Sequence, residues 1–277
     1  MSVWRFSQIP KIAHFYWGVG KLPLSRYLTL WSFRQQNPDW EMRLYRPTQK
    51  QAFGRVYSAA YDGPCYLDQA QRICEIRWID FGIFGRLWDV HKSDLLRWHL
   101  LHSVGGIWSD MDIFYINTCS SLMTDNLTSG RDVELLLCYN KQYSCHSIGF
   151  IGSTQGQAEM GAISSSCGTY FEPHLFQSIG SEMLSGTGLS DVYIESNMPR
   201  ISNIKFFSIY QLGVNALSML HDAGSLRFDL SSILGFHWYA GSPLSIPFQN
   251  SANLDSMLSL GSYLSGVVGD SGYMECD

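Results

Sequence analysis

The sequence predicts an α/β fold in which a mixed, mostly parallel β-sheet is flanked by helices, a Rossmann-like arrangement. Two patterns favour it: a strand, a helix and a second strand open the chain, and a helix leading directly into a strand lies near its middle. The composition agrees, since 45% of the 277 residues are hydrophobic and 16% are charged. Such a chain can bury a sizeable core and is neither disordered nor of low complexity.

The first unit of this sheet is predicted from the opening residues. Residues 9–18 form a short apolar run that ends in glycine, which indicates a buried strand leading into a tight loop. Apolar residues at near-helical spacing follow over residues 23–36, and Pro38 opposes continuation of that helix. Residues 40–45 then alternate like a strand. This order of elements predicts a βαβ unit with a right-handed crossover.

The second clear pattern lies in the middle of the chain. A helix is predicted over residues 93–103, with Ser93 as its N-cap, and a pair of glycines stops it. An apolar strand follows over residues 107–116, interrupted by the carboxylates of Asp110 and Asp112. The helix and the strand therefore continue the alternation that an α/β fold requires.

The other elements are less clearly marked. Residues 47–90 mix aromatic and charged residues without a period, and we expect short helices there. Further strands are predicted over residues 133–139 and 147–152, and further helices over residues 156–165 and 173–184. We expect residues 1–250 to form a single domain, followed by a Ser/Gly-rich, less ordered tail over residues 251–277.

Charge and cysteine content exclude several classes of protein. The net charge of −5 argues against a dedicated nucleic-acid binder, although residues 1–100 hold fourteen basic and only eight acidic residues. Seven scattered cysteines without a C-x-x-C pair indicate reduced thiols rather than a disulfide framework. Because the sequence shows neither a signal-peptide pattern nor a run of 18 apolar residues, we expect a soluble, cytoplasmic protein without a transmembrane segment. The sequence leaves its oligomeric state open.

Four charged residues in the two central elements form the strongest candidate site. Asp94 and Arg97 are three residues apart on the predicted helix and share one of its faces. Asp110 and Asp112 are two residues apart on an extended segment, so both side chains leave on the same side. Two converging carboxylates repel each other unless a cation lies between them, and Mn²⁺ or Mg²⁺ suits such ligands. Taken alone, the pattern also fits a helix-surface ion pair and a solvated turn.

In combination with two further segments, this site resembles the glycosyltransferases that have a DXD sugar-binding region. This GT-A group includes clostridial glucosylating toxins, yeast initiating and inositol-phosphoceramide mannosyltransferases, and α-1,4-galactosyltransferases. Three segments match in order and spacing: residues 9–18, with Ile-Pro-Lys-Ile-x-His-x-x-Trp-Gly; residues 93–112, with Ser-Asp-Leu-Leu-Arg and Gly-Gly before Asp-Met-Asp; and residues 236–242, with Phe-His-Trp-Tyr-Ala-Gly-Ser. The resemblance implies a GT-A fold with the donor at the carboxyl ends of the strands.

The resemblance also implies a binding site for a nucleotide-sugar donor. Tyr16 and Trp17 would line the nucleotide base, since an aromatic face suits a flat heterocycle. A tryptophan at the end of a strand can also belong to the core. Asp94 and Arg97 would contact the ribose, or the donor sugar and the diphosphate, and Ser242 would hydrogen-bond the diphosphate.

A metal site is implied in the same way. Asp112 would ligate the ion directly, and Asp110 would contact ribose and sugar hydroxyls and reach the ion directly or through water. His237 would be the third protein ligand, and its imidazole suits Mn²⁺ better than Mg²⁺. Other histidines of the chain have similar surroundings, so His237 is distinguished only by the Gly-Ser that follows it. The implied catalytic residues are Asp94, Arg97, Asp110 and Asp112.

The function implied is a metal-dependent, retaining transfer of a hexose from a nucleotide sugar to an acceptor hydroxyl. A UDP-sugar is the favoured donor and GDP-mannose the alternative, while the acceptor can be a glycan, a protein or a lipid headgroup. Two other functions remain open from the residues alone. Paired aspartates also serve metal-dependent phosphohydrolases, and a related chain can bind sugar nucleotides without turnover.

Overall fold

The computed structural model describes residues 9–48, 61–125, 131–140, 145–186, 204–207, 220–222 and 230–273. The strands of these residues are β1 (Ile12–Tyr16), β2 (Glu41–Pro47), β3 (Glu75–Ile79), β4 (Gly106–Ser109), β5 (Ile113–Tyr115), β6 (Thr124–Asp125), β7 (Arg131–Asp132), β8 (Leu135–Asn140), β9 (Cys145–Ser153), β10 (Ile204–Phe207) and β11 (Gly235–His237). The helices are α1 (Leu24–Gln36), α2 (Leu67–Ile73), α3 (Asp89–Ser103), α4 (Ala158–Tyr170), α5 (Ser181–Gly186), α6 (Ile246–Gln249), α7 (Leu254–Leu258) and α8 (Tyr263–Asp270). Within this part of the chain, no helix combines the length and the apolar character needed to cross a bilayer.

Within the described residues, seven strands form the main sheet, in the order β10-β8-β9-β4-β1-β2-β3. Strands β3, β2, β1 and β4 are parallel to one another, and β10 is parallel to β8. Among the strands described, β9 alone runs against both of its neighbours, β4 and β8. The predicted mixed, mostly parallel sheet flanked by helices is therefore confirmed. The opening βαβ unit is also present, because β1, α1 and β2 follow each other and the two strands pair in parallel.

Strand β1 lies inside this sheet and sends side chains into a core on each face. Ala13 and Phe15 are fully buried on the face that α1 covers, and the rings of Phe15 and Phe33 lie 5.5 Å apart. Tyr16 belongs to the second core, with apolar residues of α3 and α4. Alternation along an extended strand sends neighbouring residues to opposite faces. The apolar run at the start of the chain is therefore explained by burial on both sides.

Two of the expected helices differ most from the structure in the residue at which they begin. Helix α3 begins at Asp89 rather than at Ser93, so Ser93 lies within the helix. The helix expected over residues 173–184 is shorter and runs over Ser181–Gly186. The region for which we expected only helices contains the edge strand β3. The sequence does not indicate this strand clearly, because β3 lies at the edge of the sheet and part of its surface faces solvent. Trp78, for example, is 58% exposed.

The C-terminal residues that we expected to form a less ordered tail contain two helices, α7 and α8, over the described part of that segment. Met257, Leu264 and Val268 of these helices are fully buried. Tyr273 packs edge-on against Trp31 of α1, with ring centroids 5.1 Å apart. Serine and glycine dominate the composition of the segment, but a few apolar residues at helical spacing suffice to dock it.

His14 is a buried histidine of β1 for which the fold predicts a pH effect. Its Nδ1 lies 3.0 Å from the Tyr45 hydroxyl and its Nε2 lies 2.8 Å from the Gly105 carbonyl oxygen. Burial lowers the pKa of His14 from 6.5 to about 4. The unfolded chain therefore binds a proton in a pH range where the folded chain does not.

We expect the free energy of unfolding to fall as the pH is lowered from about 6.5 to about 4. In this range His14 takes up a proton in the unfolded chain but not in the folded chain, so acid stabilises the unfolded state. The contribution of His14 amounts to about 3 kcal/mol once the fall is complete. Urea unfolding at several pH values measures it. His14→Gln should flatten this dependence, whereas His99→Gln, at an exposed position, should leave it unchanged. Equal slopes in the two variants would contradict the assignment.

Candidate functional site

The two aspartates of the Asp-Met-Asp sequence lie where β4 ends and the chain passes into a second, smaller sheet. We predicted one strand over residues 107–116, but the structure has β4 in the main sheet and β5 in a two-stranded sheet with β11. Strands β5 and β11 are antiparallel, with His237 opposite Ile113. This pairing places His237 beside Asp112, although the two residues are far apart in the sequence.

Asp110, Asp112 and His237 converge at this point. Each residue offers one ligand atom, and these atoms all lie within 4.8 Å of one another. The Oδ1 atom of Asp112 is 3.1 Å from Nε2 of His237, and its Oδ2 accepts a 2.9 Å hydrogen bond from the backbone N–H of Ala240. The guanidinium of Arg26 approaches Oδ2 to 3.9 Å.

The pKa of Asp112 reflects these neighbours. Burial alone would raise it, but His237, Arg26 and the Ala240 N–H together outweigh burial and hold the pKa of Asp112 well below its usual range. Asp112 is therefore a carboxylate at neutral pH, as a ligand for a cation must be.

The residues present fit a divalent cation. Among the described residues, the buried Oδ1 of Asp112 has no hydrogen bond of good geometry and faces Nε2 of His237 at 3.1 Å. The hydrogen bonds that the structure shows to the Asp110 carboxylate, from Arg97 and Trp108, both reach its Oδ1. Its Oδ2 and the His237 ring border the same space, because a Cβ atom on Gly149 would lie 3.2 Å from the first and 3.0 Å from Cε1 of the second. Two carboxylates and one imidazole form a mixed oxygen and nitrogen donor set, which suits Mn²⁺.

Arg97 joins the carboxylate of Asp94 to that of Asp110. Its Nη1 lies 3.0 Å from Oδ1 of Asp94, and its Nη2 donates a 2.9 Å hydrogen bond to Oδ1 of Asp110. Burial raises the pKa of Asp94 to about 7; Arg97 opposes this shift and Asp110 adds to it. The side chains of Asp94 and Arg97 are almost fully buried, whereas that of Asp110 is 27% exposed. The helix-surface ion pair that the sequence left open is therefore an interior one that ends at the candidate metal site.

Trp17 lies close to this site but is mostly inside the protein. It is 8% exposed, and its indole N–H donates a 3.1 Å hydrogen bond to the Lys21 carbonyl oxygen. The guanidinium of Arg26 is 4.9 Å from the centre of the Trp17 ring and 4.8 Å from that of Trp238. One face of Trp17 is thus covered by Arg26, which in turn approaches Asp112. The core role that the sequence left open for Trp17 is present in the structure, and base contact by its remaining surface stays a prediction.

We expect Trp17→Ala to lower the free energy of unfolding by about 3–5 kcal/mol, the usual cost of truncating a buried aromatic side chain. The variant also leaves Arg26 without one of its two ring contacts. Chemical denaturation followed by circular dichroism measures the loss. Trp78→Ala is the matched control, because that tryptophan is 58% exposed. A Trp17→Ala protein of unchanged stability would show that the indole does not support the core.

Tyr16 and Ser242, which the resemblance placed in the donor site, form hydrogen bonds with other groups of the protein. The Tyr16 hydroxyl donates a 3.0 Å hydrogen bond to Asp89, and the residue is 7% exposed. The Ser242 hydroxyl oxygen accepts a 3.3 Å hydrogen bond from the backbone N–H of Leu244 at the start of a 3₁₀-helix. Its O–H therefore remains a donor for an anionic ligand.

Sequence reasoning missed three residues that shape this site. Arg26 shows no motif, and only its place beside Tyr27 on the buried face of α1 indicates a buried cation. Gly149 of β9 leaves room for the site, since a Cβ atom there would lie 3.0 Å from His237 Cε1 and 3.2 Å from Asp110 Oδ2. Tyr239 has a positive φ of 48° and stacks on the His237 imidazole, with centroids 4.1 Å apart.

The chain is similar to several solved structures at low sequence identity. PaToxG glycosyltransferase is 13% identical over 71% of this chain and 75% of its own, with a TM-score of 0.49. The UDP-bound glycosyltransferase domain from the YGT toxin is 10% identical over 73% of this chain and 80% of its own, with a TM-score of 0.47. A glycosyltransferase involved in glycosylation of the major capsid of PBCV-1 is 10% identical over 91% and 99%, with a TM-score of 0.43. No match was found among curated proteins.

A family model also matches the segment of the chain that contains the Asp-Met-Asp sequence. Residues 25–129 match the family described as the glycosyltransferase sugar-binding region containing a DXD motif. The matched range includes all four charged residues of the two central elements, whereas Trp17 and His237 lie outside it. The resemblance seen in the sequence is therefore confirmed over this range, because residues 25–129 carry the DXD-containing sugar-binding region of glycosyltransferases.

Proposed function

We propose that the protein transfers a hexose from a nucleotide sugar to an acceptor hydroxyl, with a divalent cation and with retention of the anomeric configuration. The observation that carries this proposal is the convergence of Asp110, Asp112 and His237 within 4.8 Å, beside the buried Asp94–Arg97 pair. A UDP-sugar is the favoured donor and GDP-mannose the alternative. The acceptor is a glycan, a protein or a lipid headgroup.

In this proposal, Asp110, Asp112 and His237 hold a divalent cation, Mn²⁺ or Mg²⁺. When bound, such a cation supplies Lewis-acid stabilisation of the charge that develops on the departing diphosphate. The contact of Asp112 with the Ala240 N–H fixes one carboxylate oxygen, so the other is directed at His237. Arg97 fixes Oδ1 of Asp110 in the same way. The two carboxylates are thus oriented by hydrogen bonds to protein groups.

The other site residues would orient the donor. Trp17 and Tyr16 lie at the end of β1 and would border the base, while Asp94 and Arg97 would contact the ribose, or the donor sugar and the diphosphate. The Ser242 hydroxyl would donate to the diphosphate. The Asp94 carboxylate is buried against Arg97, which suits binding rather than covalent attack. We therefore favour attack by the acceptor hydroxyl on the same face of the sugar that the diphosphate leaves.

The test is a donor panel. The purified protein is incubated with UDP-glucose, UDP-galactose, UDP-N-acetylglucosamine and GDP-mannose in Mn²⁺, and released nucleoside diphosphate and free sugar are followed. Release of a nucleoside diphosphate from one donor, lost on chelation of the metal, is the expected result. Release of inorganic phosphate or of nucleoside monophosphate would indicate a phosphohydrolase. Tight binding of a donor without release, even with mixed glycan, protein and lipid acceptors, would indicate a binding module.

His237→Ala should reduce the affinity for Mn²⁺ and narrow the preference for Mn²⁺ over Mg²⁺, because the nitrogen ligand is lost. Calorimetric titration of each metal in the presence of UDP measures both affinities. His102→Ala is the control, since His102 is a histidine of α3 whose Nδ1 lies 3.2 Å from a backbone carbonyl oxygen. Equal metal affinities in the wild-type protein and His237→Ala would remove His237 from the proposed ligand set.

A further inference from the structure

The loop between β1 and α1 is held from one side by a buried arginine. Arg46 of β2 is 5% exposed, and its Nη2 donates hydrogen bonds of 2.8 Å and 2.7 Å to the carbonyl oxygens of Gly18 and Gly20. The backbone N–H of Trp17 also donates a 3.1 Å hydrogen bond to the Tyr45 carbonyl oxygen of the same strand. The loop therefore curls around one guanidinium, whose charge strengthens both bonds.

Asp89, the first residue of α3, holds the same loop from the other side. Its Oδ1 accepts the 3.0 Å hydrogen bond from the Tyr16 hydroxyl, and its carboxylate also accepts from the backbone N–H of Val19. A Cβ atom on Gly18 would lie 2.1 Å from Oδ2 of Asp89. The carboxylate thus lies directly against the Gly18 backbone, and only glycine leaves it room.

A buried lysine keeps this carboxylate in place. The Lys92 side chain is fully buried, and its Nζ lies 3.8 Å from Oδ1 of Asp89. Among the residues that the structure describes, Nζ has no hydrogen-bond partner, and it lies 5.8 Å from the centre of the Phe81 ring. An ammonium group in such surroundings is costly unless a countercharge stays close. Moving Asp89 away from the loop would therefore also isolate Lys92.

We propose that Asp89, supported by Lys92, and Arg46 are positioning residues that lock the loop after β1, so that Trp17 meets the nucleotide of the donor in a fixed position. The inference rests on the proposed function, because it takes Trp17 as part of the donor site. A locked loop increases affinity, since a binding-competent conformation populated one tenth of the time weakens the observed affinity about tenfold. None of the three residues needs to touch the donor for this effect.

Gly18→Ala and Asp89→Asn test the lock, each with a matched control. Gly168→Ala controls the glycine change, because a Cβ atom at Gly168 would meet nothing within 4 Å. Asp39→Asn controls the charge change, because Asp39 pairs with Lys11 at the surface. Amide hydrogen exchange over residues 17–22 reports the position of the loop without any ligand. Calorimetric titration with UDP and Mn²⁺, together with donor hydrolysis, reports the consequence for the site.

We expect both test variants to exchange the loop amides faster and to bind UDP about tenfold more weakly, with a raised KM for the donor and a nearly unchanged kcat. The controls should match the wild-type protein in every measurement. Unchanged loop exchange in Gly18→Ala overturns the lock, and faster exchange with unchanged UDP affinity overturns the positioning role. Asp89→Asn leaves Lys92 without its countercharge and can unfold the protein. In that case the Gly18→Ala variant, which keeps the charges of Asp89, Lys92 and Arg46, tests the proposal by itself.

The measurements also distinguish a failure of the proposed function from a failure of the positioning role alone. If the wild-type protein binds no nucleoside diphosphate with Mn²⁺, the glycosyl-transfer proposal and the positioning role for Trp17 are both overturned. If the wild-type protein binds UDP but the loop variants bind it equally well, only the positioning role is overturned.

Discussion

Asp112→Asn should reduce the affinity for Mn²⁺ and the rate of donor turnover by at least about tenfold, an effect as large as the loss of a group that orients a metal ligand. The amide keeps the shape of the side chain and can still accept the hydrogen bond from the Ala240 N–H. What it lacks is the negative charge that His237 faces at 3.1 Å. Calorimetric titration of Mn²⁺ with UDP measures the affinity, and released UDP measures the turnover.

The same variant should also destabilise the metal-free protein. Repulsion between Asp110 and Asp112 taken alone would make the change neutral or stabilising. The structure instead surrounds Asp112 with a hydrogen-bond donor and with Arg26, so removing its charge weakens two favourable interactions. We expect the free energy of unfolding to fall by about 1–3 kcal/mol. Asp39→Asn, at an exposed ion pair, is the control for both measurements. Unchanged Mn²⁺ affinity in Asp112→Asn would remove direct ligation by Asp112 from the proposal.

Arg97→Met should damage both the fold and the candidate site. Arg97 is 2% exposed and bridges Asp94 and Asp110, so its removal leaves a buried carboxylate without a cation. Breaking a buried pair in this way costs about 3–5 kcal/mol. We also expect turnover to fall about 100-fold, the loss seen when one oriented donor at a developing negative charge is removed. Urea unfolding and donor hydrolysis measure the two effects.

A second substitution separates the two roles of Arg97. Adding Asp94→Asn to Arg97→Met removes the unpaired carboxylate, so part of the lost stability should return while turnover stays low. Arg97→Lys keeps the charge but not the fork that reaches both carboxylates. We expect it to be more stable than Arg97→Met and still impaired in turnover. A single Arg97→Met variant as stable as the wild-type protein would show that the buried pair contributes nothing to the fold.

Much of the sheet could be predicted because its signals are local. The apolar run before Trp17 and the proline that ends α1 are features of short stretches of sequence, and each had the predicted structure. The edge strand β3 was missed because it is exposed on one side and carries no clear pattern of alternation. The packing of α7 and α8 against the core was missed because the segment is rich in serine and glycine, which suggested a less ordered tail. A few of its apolar residues, such as Met257 and Leu264, are nevertheless buried.

The residues of the candidate site also fall into two groups, those that the local sequence predicts and those whose role depends on contacts between distant parts of the chain. The sequence alone predicted that Asp94 lies beside Arg97, because residues three apart on a helix share a face. It also paired Asp110 with Asp112 on one strand, whereas the structure places both residues between β4 and β5. Arg26 could not be found in this manner, since its contacts with Trp17, Trp238 and Asp112 join three distant parts of the chain. Its charge is typical of a surface residue, and burial decides its role.

The sequence by itself predicted the α/β sheet, since the periodicity of single elements is local, and its resemblance to DXD glycosyltransferases predicted the sugar-binding region that residues 25–129 match. Only the tertiary structure decided how Asp112 meets His237, because that contact requires β5 to leave the main sheet and pair with β11. It likewise decided that Asp89 and Arg46 enclose the loop after β1. The physical reason is that long-range pairing depends on the free energy of the whole fold, which no single segment of the sequence contains.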